Sequence, residues 1–297
     1  METRGTMYRR LVFLLLGVMM LLPAARDHAA PVQASLPDGT LLNADYQRGE
    51  ADQPAVLILH GFLQTQDFPT VRRLADALHE DMGYSVLTPT LSLGISDRRQ
   101  SLACEAIQQH SMESAAAEIG FWIRWLIERG HRHLALVGHS MGSLMVLAAL
   151  PDAPPEVERA VLISLTYIGQ HLDVFERGQH QNDLRKARKL LTESPDRLEA
   201  YHIAYCKAYT ATPAHVLSYY AWDQDHTLEA IRRAKVPVTI ILGSRDRRID
   251  PDWHRRIAGS GGHLIVIEGA NHFFDDAHEF DLLDAVDRAI AGDSELP

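Results

Sequence analysis

Apolar residues come in short dense runs along this chain, separated by segments with a one-sided apolar pattern. Residues 55–59 read AVLIL, 84–87 YSVL, 134–137 LALV, 160–165 AVLISL, 236–243 VPVTIILG and 263–267 HLIVI. Runs so short and so apolar suit strands buried on both faces. Between them lie helical patterns. Asp67 and Pro69 open a helix whose apolar face is Val71, Leu74, Ala75 and Leu78, and Ser111 caps another that carries Ala115, Ile119, Trp122 and Leu126 until Gly130 ends it. Residues 143–150 contain no breaker and predict a helix after the 134–137 run, and a last helix is predicted over 278–291. An Asp38-Gly39 turn with apolar flanks predicts an opening hairpin over 36–49. Strands alternating with helices predict an α/β fold: a mostly parallel central sheet with helices on both faces.

Residues 167–235 break this alternation. They are polar, with helical patterns and almost no run fit for a buried strand. Ser194-Pro195-Asp196 predicts the start of a helix bearing Leu198, Tyr201, Tyr205 and Tyr209. Thr212-Pro213 predicts another, with Tyr219, Tyr220 and Trp222. A helical cap over 167–235 divides the core into 35–166 and 236–297. Most of its aromatics are expected to pack the cap, and some to line a ligand pocket.

The N-terminus sets compartment. Arg4, Arg9 and Arg10 precede the apolar run LVFLLLGVMMLL and an alanine-rich polar stretch, the order of an export signal. The run is shorter than the roughly 20 residues of a membrane span. Cleavage after Ala30 would leave Pro31 at the cut, so the leader is assigned to 1–34 and the mature start to Ser35. Periplasmic or extracellular export is expected, with transient membrane association through this segment; the alternative is an uncleaved anchor. The composition, 46% hydrophobic with net charge −10, is that of a globular chain, and no basic stripe offers a nucleic-acid surface. Two cysteines, Cys104 and Cys206, lack metal-like spacing, and the 16 histidines are scattered, so no metal and no cofactor are expected. In an oxidising compartment the two cysteines can bridge a long loop to the cap; otherwise they are small buried hydrophobes.

Chemistry enters at Gly138-His139-Ser140-Met141-Gly142, between a strand and a helix. Glycines two before and two after remove the β-carbons that a sharp turn at Ser140 would crowd, and Gly-x-Ser-x-Gly in that context is a nucleophile elbow. A serine needs a base, and the base an orienting group. Asp246 follows the 236–243 strand and His272 the 263–267 strand, which completes the chain order Ser, Asp, His. Asp250, in the same loop as Asp246, is the rival acid. "LHGF" ends the 55–59 strand, and the N–H groups of Phe62 and Met141 are assigned to an oxyanion hole. Singly, each has an ordinary reading as a turn, a solvated carboxylate or a structural histidine; together and in order they point to catalysis.

The stretches "LHGF", "GHSMG", "GSRDRRIDP" and "GANHFF" resemble the α/β-hydrolase superfamily, and "DGTLLNADY" is similar to the opening hairpin of its monoacylglycerol-lipase-like and serine-aminopeptidase-like members. The resemblance implies Ser140 as nucleophile, His272 as general base and Asp246 as its orienting residue, with 167–235 as the cap after the sixth strand. Where many such relatives have Asp-x-x-Gly-x-Gly, this chain reads TPTLSLGISDRR and continues into a long loop, 88–110. The expected function is a serine hydrolase of a carboxylic ester or related small acyl substrate. Alternatives are an amide or thioester hydrolase, an acyltransferase, or a non-catalytic binding protein on this fold.

Overall fold

The computed structural model describes residues 29–169, 178–275 and 277–292. The first half of the core comprises β1 (Ala30–Ser35), β2 (Leu41–Gln47), β3 (Ala55–Leu59), α1 (Pro69–Glu80), β4 (Ser85–Thr90), α2 (Met112–Glu128), β5 (Leu134–His139), α3 (Met141–Ala149) and β6 (Val157–Ile163). The insertion carries α4 (Gln179–Glu193), β7 (Glu199–Ile203), β8 (Cys206–Ala211), α5 (Pro213–Tyr220) and α6 (Gln224–Arg233). Then come β9 (Val238–Gly243), α7 (Pro251–Ala258), β10 (His263–Ile267) and α8 (His278–Ala291).

Eight strands form one sheet in the order β1-β2-β4-β3-β5-β6-β9-β10. β1–β2 and β2–β4 are antiparallel and all later pairs parallel. The period-two side-chain alternation of strands sorts the apolar runs onto the two faces. Leu57, Leu136, Leu162 and Ile240 join one core, with α2 and α3. Val56, Val137, Val161 and Ile241 join the other, with α1 and α8. Burial on both faces explains why these strands read as continuous apolar runs. The expected helix faces are all buried, Val71 to Leu78 in α1 and Ala115 to Leu126 in α2, and Ser111 forms a capping box with Ser114.

Residues 1–28 of the expected leader lie outside the described residues. Ala30–Ser35 pairs with β2 in the opening hairpin, so a chain beginning at Ser35 would lack β1 and leave β2 as the sheet edge.

The cap differs from expectation in one element. The helix expected across Leu198, Tyr201, Tyr205 and Tyr209 is a β-hairpin, β7–β8, with Tyr201 opposite Tyr209 and Ile203 opposite Cys206. Four-residue spacing of tyrosines suggested a helix, but the residues packed inside are Tyr201, Ile203, Cys206, Tyr209 and Ala211. Tyr201 and Ile203 in β7, and Tyr209 and Ala211 in β8, keep a strand's period of two; Cys206 lies three before Tyr209, where the register shifts, and Ala204 and Tyr205 form the tip. The predicted helix from Thr212-Pro213 is α5. Within the same insertion α6 packs on α3, closing the crossover to β9.

Cys104 and Cys206 are joined in a disulfide, with Cα atoms 5.4 Å apart and 102 residues of separation. The bridge ties the hairpin to the loop that follows β4. Cross-linking a segment of this length restricts the unfolded chain, a contribution of about 2–4 kcal/mol. The variant Cys104→Ala/Cys206→Ala should lose stability of that order in denaturant unfolding. Intact mass after alkylation of the wild-type protein should show no free thiol; two alkylated cysteines without reduction would contradict the bridge.

Candidate active site

The site begins at the turn from β5 to α3. Ser140 has φ 57° and ψ −120°, a left-handed backbone that a side chain rarely adopts. Its N–H donates to the Ile163 carbonyl at 2.8 Å, tying the turn to β6. The flanking glycines are required by contact. A β-carbon on Gly138 would stand 2.5 Å from the Gly142 carbonyl carbon, and one on Gly142 would stand 2.6 Å from the His60 carbonyl oxygen. Both obstacles are backbone.

Three side chains from three distant segments meet over this turn. His272, in the loop after β10, has Nε2 3.0 Å from Ser140 Oγ. Its Nδ1 lies 2.7 Å from Asp246 Oδ2, in the loop after β9. A carboxylate only accepts, so Nδ1 carries the proton and Nε2 faces the serine as an acceptor. The other Asp246 oxygen accepts from the Arg248 N–H at 2.8 Å, so both carboxylate oxygens are held. Asp250 is elsewhere: it caps α7, accepting from the Asp252 N–H.

Phe62 and Met141 flank the serine. Gly61 passes so close that a β-carbon on it would lie 3.5 Å from Ser140 Cβ. Among the described residues neither the Phe62 nor the Met141 N–H has a hydrogen-bond acceptor. Met141 is the first residue of α3, where backbone N–H groups lack intrahelical partners and the helix dipole favours negative charge.

A second ring of polar side chains, not singled out in the sequence, holds these parts. The carbonyl of His272 accepts from His139 Nε2 at 2.9 Å and from Ser164 Oγ at 2.8 Å. The carbonyl of Gly61 is 2.8 Å from His60 Nδ1 and shares a peptide plane with the Phe62 N–H. His60 Nε2 in turn accepts from the Leu91 N–H at 3.1 Å and from Arg98 at 3.2 Å, which puts the ring proton on Nδ1 as a donor to Gly61. Arg98 is buried and also donates to the carbonyls of Leu91, Gln64 and Gln100. Nearby Glu118, also buried, accepts from the N–H and hydroxyl of Ser92. Arg98 and Ser92 belong to the long loop that stands where the expected glycine-rich turn is absent. The one local signal for this network in the sequence was Glu118, a charge among the apolar residues of α2; Arg98, in a polar loop, gave none.

The serine opens into a cavity of about 490 Å3, within the range of small-molecule sites. Phe62, Met141 and His272 line it from the core, and Ile203, Ala204 and Tyr205 from the hairpin tip. Of the six cap aromatics named above, only Tyr205 reaches this cavity; Tyr201, Tyr209, Tyr219, Tyr220 and Trp222 are buried in packing. Arg247 and Arg248 stand at its exposed side. Among the described residues no helix is long and apolar enough to cross a membrane.

With fold and site described, comparison with known proteins gives the class. A model of the alpha/beta hydrolase family matches residues 56–283, and the chain belongs to that family. A search of curated proteins by sequence found no match. Similar solved structures include Est1E from Butyrivibrio proteoclasticus, with TM-score 0.61 and 16% identity over 88% of this chain and 98% of that one. A monoacylglycerol lipase from Paleococcus ferrophilus has TM-score 0.62 and 16% identity, covering 84% and 98%. Alpha/beta hydrolase domain-containing protein 10 from mouse has TM-score 0.64 and 15% identity, covering 89% and 99%. At these identities the likeness is one of fold.

Burial of three histidines gives the fold's stability a pH dependence. His60, His110 and His139 are buried, and desolvation chiefly pushes each pKa from 6.5 down to about 3. An unfolded chain takes up these protons as pH falls through 6.5, while the folded chain does not until about 3. The stability contributed is therefore complete above pH 6.5 and is lost below it, by up to about 1.4 kcal/mol per pH unit for each ring. Denaturant midpoints should fall markedly between about pH 7.5 and about pH 5.5. Equal midpoints would show that these rings are not held neutral.

Proposed function

We propose that the protein is a serine hydrolase that cleaves a carboxylic ester, or a related small acyl compound, through an acyl-enzyme. The observation that carries this reading is the continuous chain Asp246–His272–Ser140, with contacts of 2.7 and 3.0 Å, opening into a cavity of about 490 Å3. In this mechanism Ser140 Oγ attacks the acyl carbon while its proton passes to His272 Nε2. The carbonyl electron pair moves to oxygen, which takes hydrogen bonds from the Phe62 and Met141 N–H groups. Collapse expels the alcohol, which leaves with the proton from His272. Water then gives a proton to His272 as it attacks the acyl carbon, and the resulting tetrahedral intermediate collapses with that proton passing to Ser140 Oγ, releasing the acid. Asp246 keeps the imidazole in the productive tautomer and stabilises the imidazolium. Family membership and the monoacylglycerol lipase among its structural neighbours support an acyl substrate. The disulfide supports an exported enzyme, since such bridges persist in oxidising compartments.

Ser140→Ala and His272→Ala should each lower hydrolysis of activated esters by about 10³ or more without loss of fold. A fluorophosphonate probe should label the wild type and not Ser140→Ala. Asp246→Asn should cost far more activity than Asp250→Asn, because only the first carboxylate meets the imidazole. Near-wild-type turnover in Ser140→Ala would remove the assignment, and the reverse order of the aspartates would move the acid to Asp250.

A further inference from the structure

The cap meets the acyl-transfer site at Phe62. The Phe62 ring lies against three cap tyrosines, with centroid distances of 5.7 Å to Tyr205, 5.6 Å to Tyr209 and 6.4 Å to Tyr219. Its carbonyl accepts a hydrogen bond from the Tyr205 hydroxyl at 3.0 Å. Tyr205 occupies the tip of the β7–β8 hairpin, between Ala204, which has φ 51°, and the disulfide residue Cys206.

That tip is clamped. Cys206 is bonded to Cys104. Around the bridge, the Thr210 N–H donates to the Cys104 carbonyl at 3.3 Å and the Gln108 N–H to the Thr210 carbonyl at 2.8 Å. The same loop returns to the core through the Leu102 N–H, which donates to the Leu63 carbonyl at 2.9 Å. Leu63 itself has φ 58°. A backbone in that region persists only where its surroundings hold it. Burial raises the Tyr205 phenol above its ordinary pKa, so it remains a donor throughout the neutral range.

We propose that Tyr205 is a positioning residue for acyl transfer: delivered by the disulfide-anchored hairpin, its hydroxyl fixes the Phe62 backbone so that the Phe62 N–H is already aimed at the developing oxyanion. The proposal rests on the serine-hydrolase reading. Gly61 and Phe62 carbonyls stand on either side of the donor residue, and each is held by one side chain, His60 from the core and Tyr205 from the cap. A donor fixed in advance needs no reorganisation as charge develops. It therefore favours the transition state over bound substrate and is read in kcat rather than KM. Both acylation and deacylation pass through an oxyanion, so kcat reports the effect whichever step limits.

The test is Tyr205→Phe, which keeps the ring and removes only the hydroxyl. With a short acetyl ester, kcat should fall about 3- to 10-fold, the loss expected for one hydrogen bond, while KM stays within about twofold. A trifluoromethyl ketone, which forms an anionic adduct with Ser140, should weaken by the same factor. The corresponding alcohol, which forms no oxyanion, should bind unchanged. In the Cys104→Ala/Cys206→Ala background Tyr205→Phe should cost less, because the hairpin no longer holds the hydroxyl in register. Wild-type kcat and ketone affinity in Tyr205→Phe, or a loss confined to KM, would overturn the proposal and leave Tyr205 as a cavity wall. Ser140→Ala measured alongside separates the two failures. Activity retained there removes the serine-hydrolase reading, whereas Ser140 dependence with an indifferent Tyr205→Phe removes only this inference.

Discussion

The site depends on a backbone held where backbones rarely go. Ser140 is at φ 57° because β5 must end and α3 must begin within one residue. That turn closes only if the Gly138 and Gly142 backbones touch each other and Gly142 touches the end of β3. The sheet makes the approach possible. β3 and β5 are parallel neighbours in register, so Leu59 lies opposite Gly138 and the loop leaving β3 passes beside the serine. The Phe62 and Met141 N–H groups, which have no acceptor among the described residues, and the Ser140 hydroxyl thereby share one corner. Strain at the turn is sustained by two cores, one on each sheet face, built from strands that are apolar on both sides.

Around that corner the interior is unusually polar, and each polar group has an orienting task. His139 and Ser164 hold the His272 carbonyl, and His60 holds Gly61. Arg98 reaches four acceptors while buried. Taking a guanidinium out of water is costly unless its donors are satisfied. Its burial therefore makes sense only as part of the ordered loop between β4 and α2. Such networks are high-stakes, since removing one member leaves the others buried and unsatisfied. The cap extends the same logic from outside: its hairpin is attached covalently to that loop and non-covalently to Phe62.

Most of the core was legible in the chain. Buried parallel strands announce themselves as apolar runs, and helix faces as apolar residues spaced three and four apart. The order Ser140, Asp246, His272 was legible too, because each follows a recognisable strand and loops at the carboxyl ends of parallel strands converge. The β7–β8 hairpin was not. Tyr201, Tyr205 and Tyr209 fit a helical repeat as well as a strand pair, and local pattern cannot choose between them. What chose was the partner: Ile203 and Cys206 turn inward only in a hairpin, with Cys206 then meeting Cys104.

The sequence by itself determined the class of fold, the sharp turn at Ser140 and the chain order of Ser140, Asp246 and His272. Those follow from local sterics and from periodicity, which a single strand or helix already obeys. Tertiary structure gave the sequence preference for Asp246 over Asp250 its contact, since both sit in one loop and the docking of β10 beside β9 brings His272 to the first. It alone paired the cysteines, seated Tyr205 on Phe62, and gave His60 an arginine partner 38 residues away. Such contacts join segments whose separation along the chain carries no signal, and they form only when the sheet order has been set.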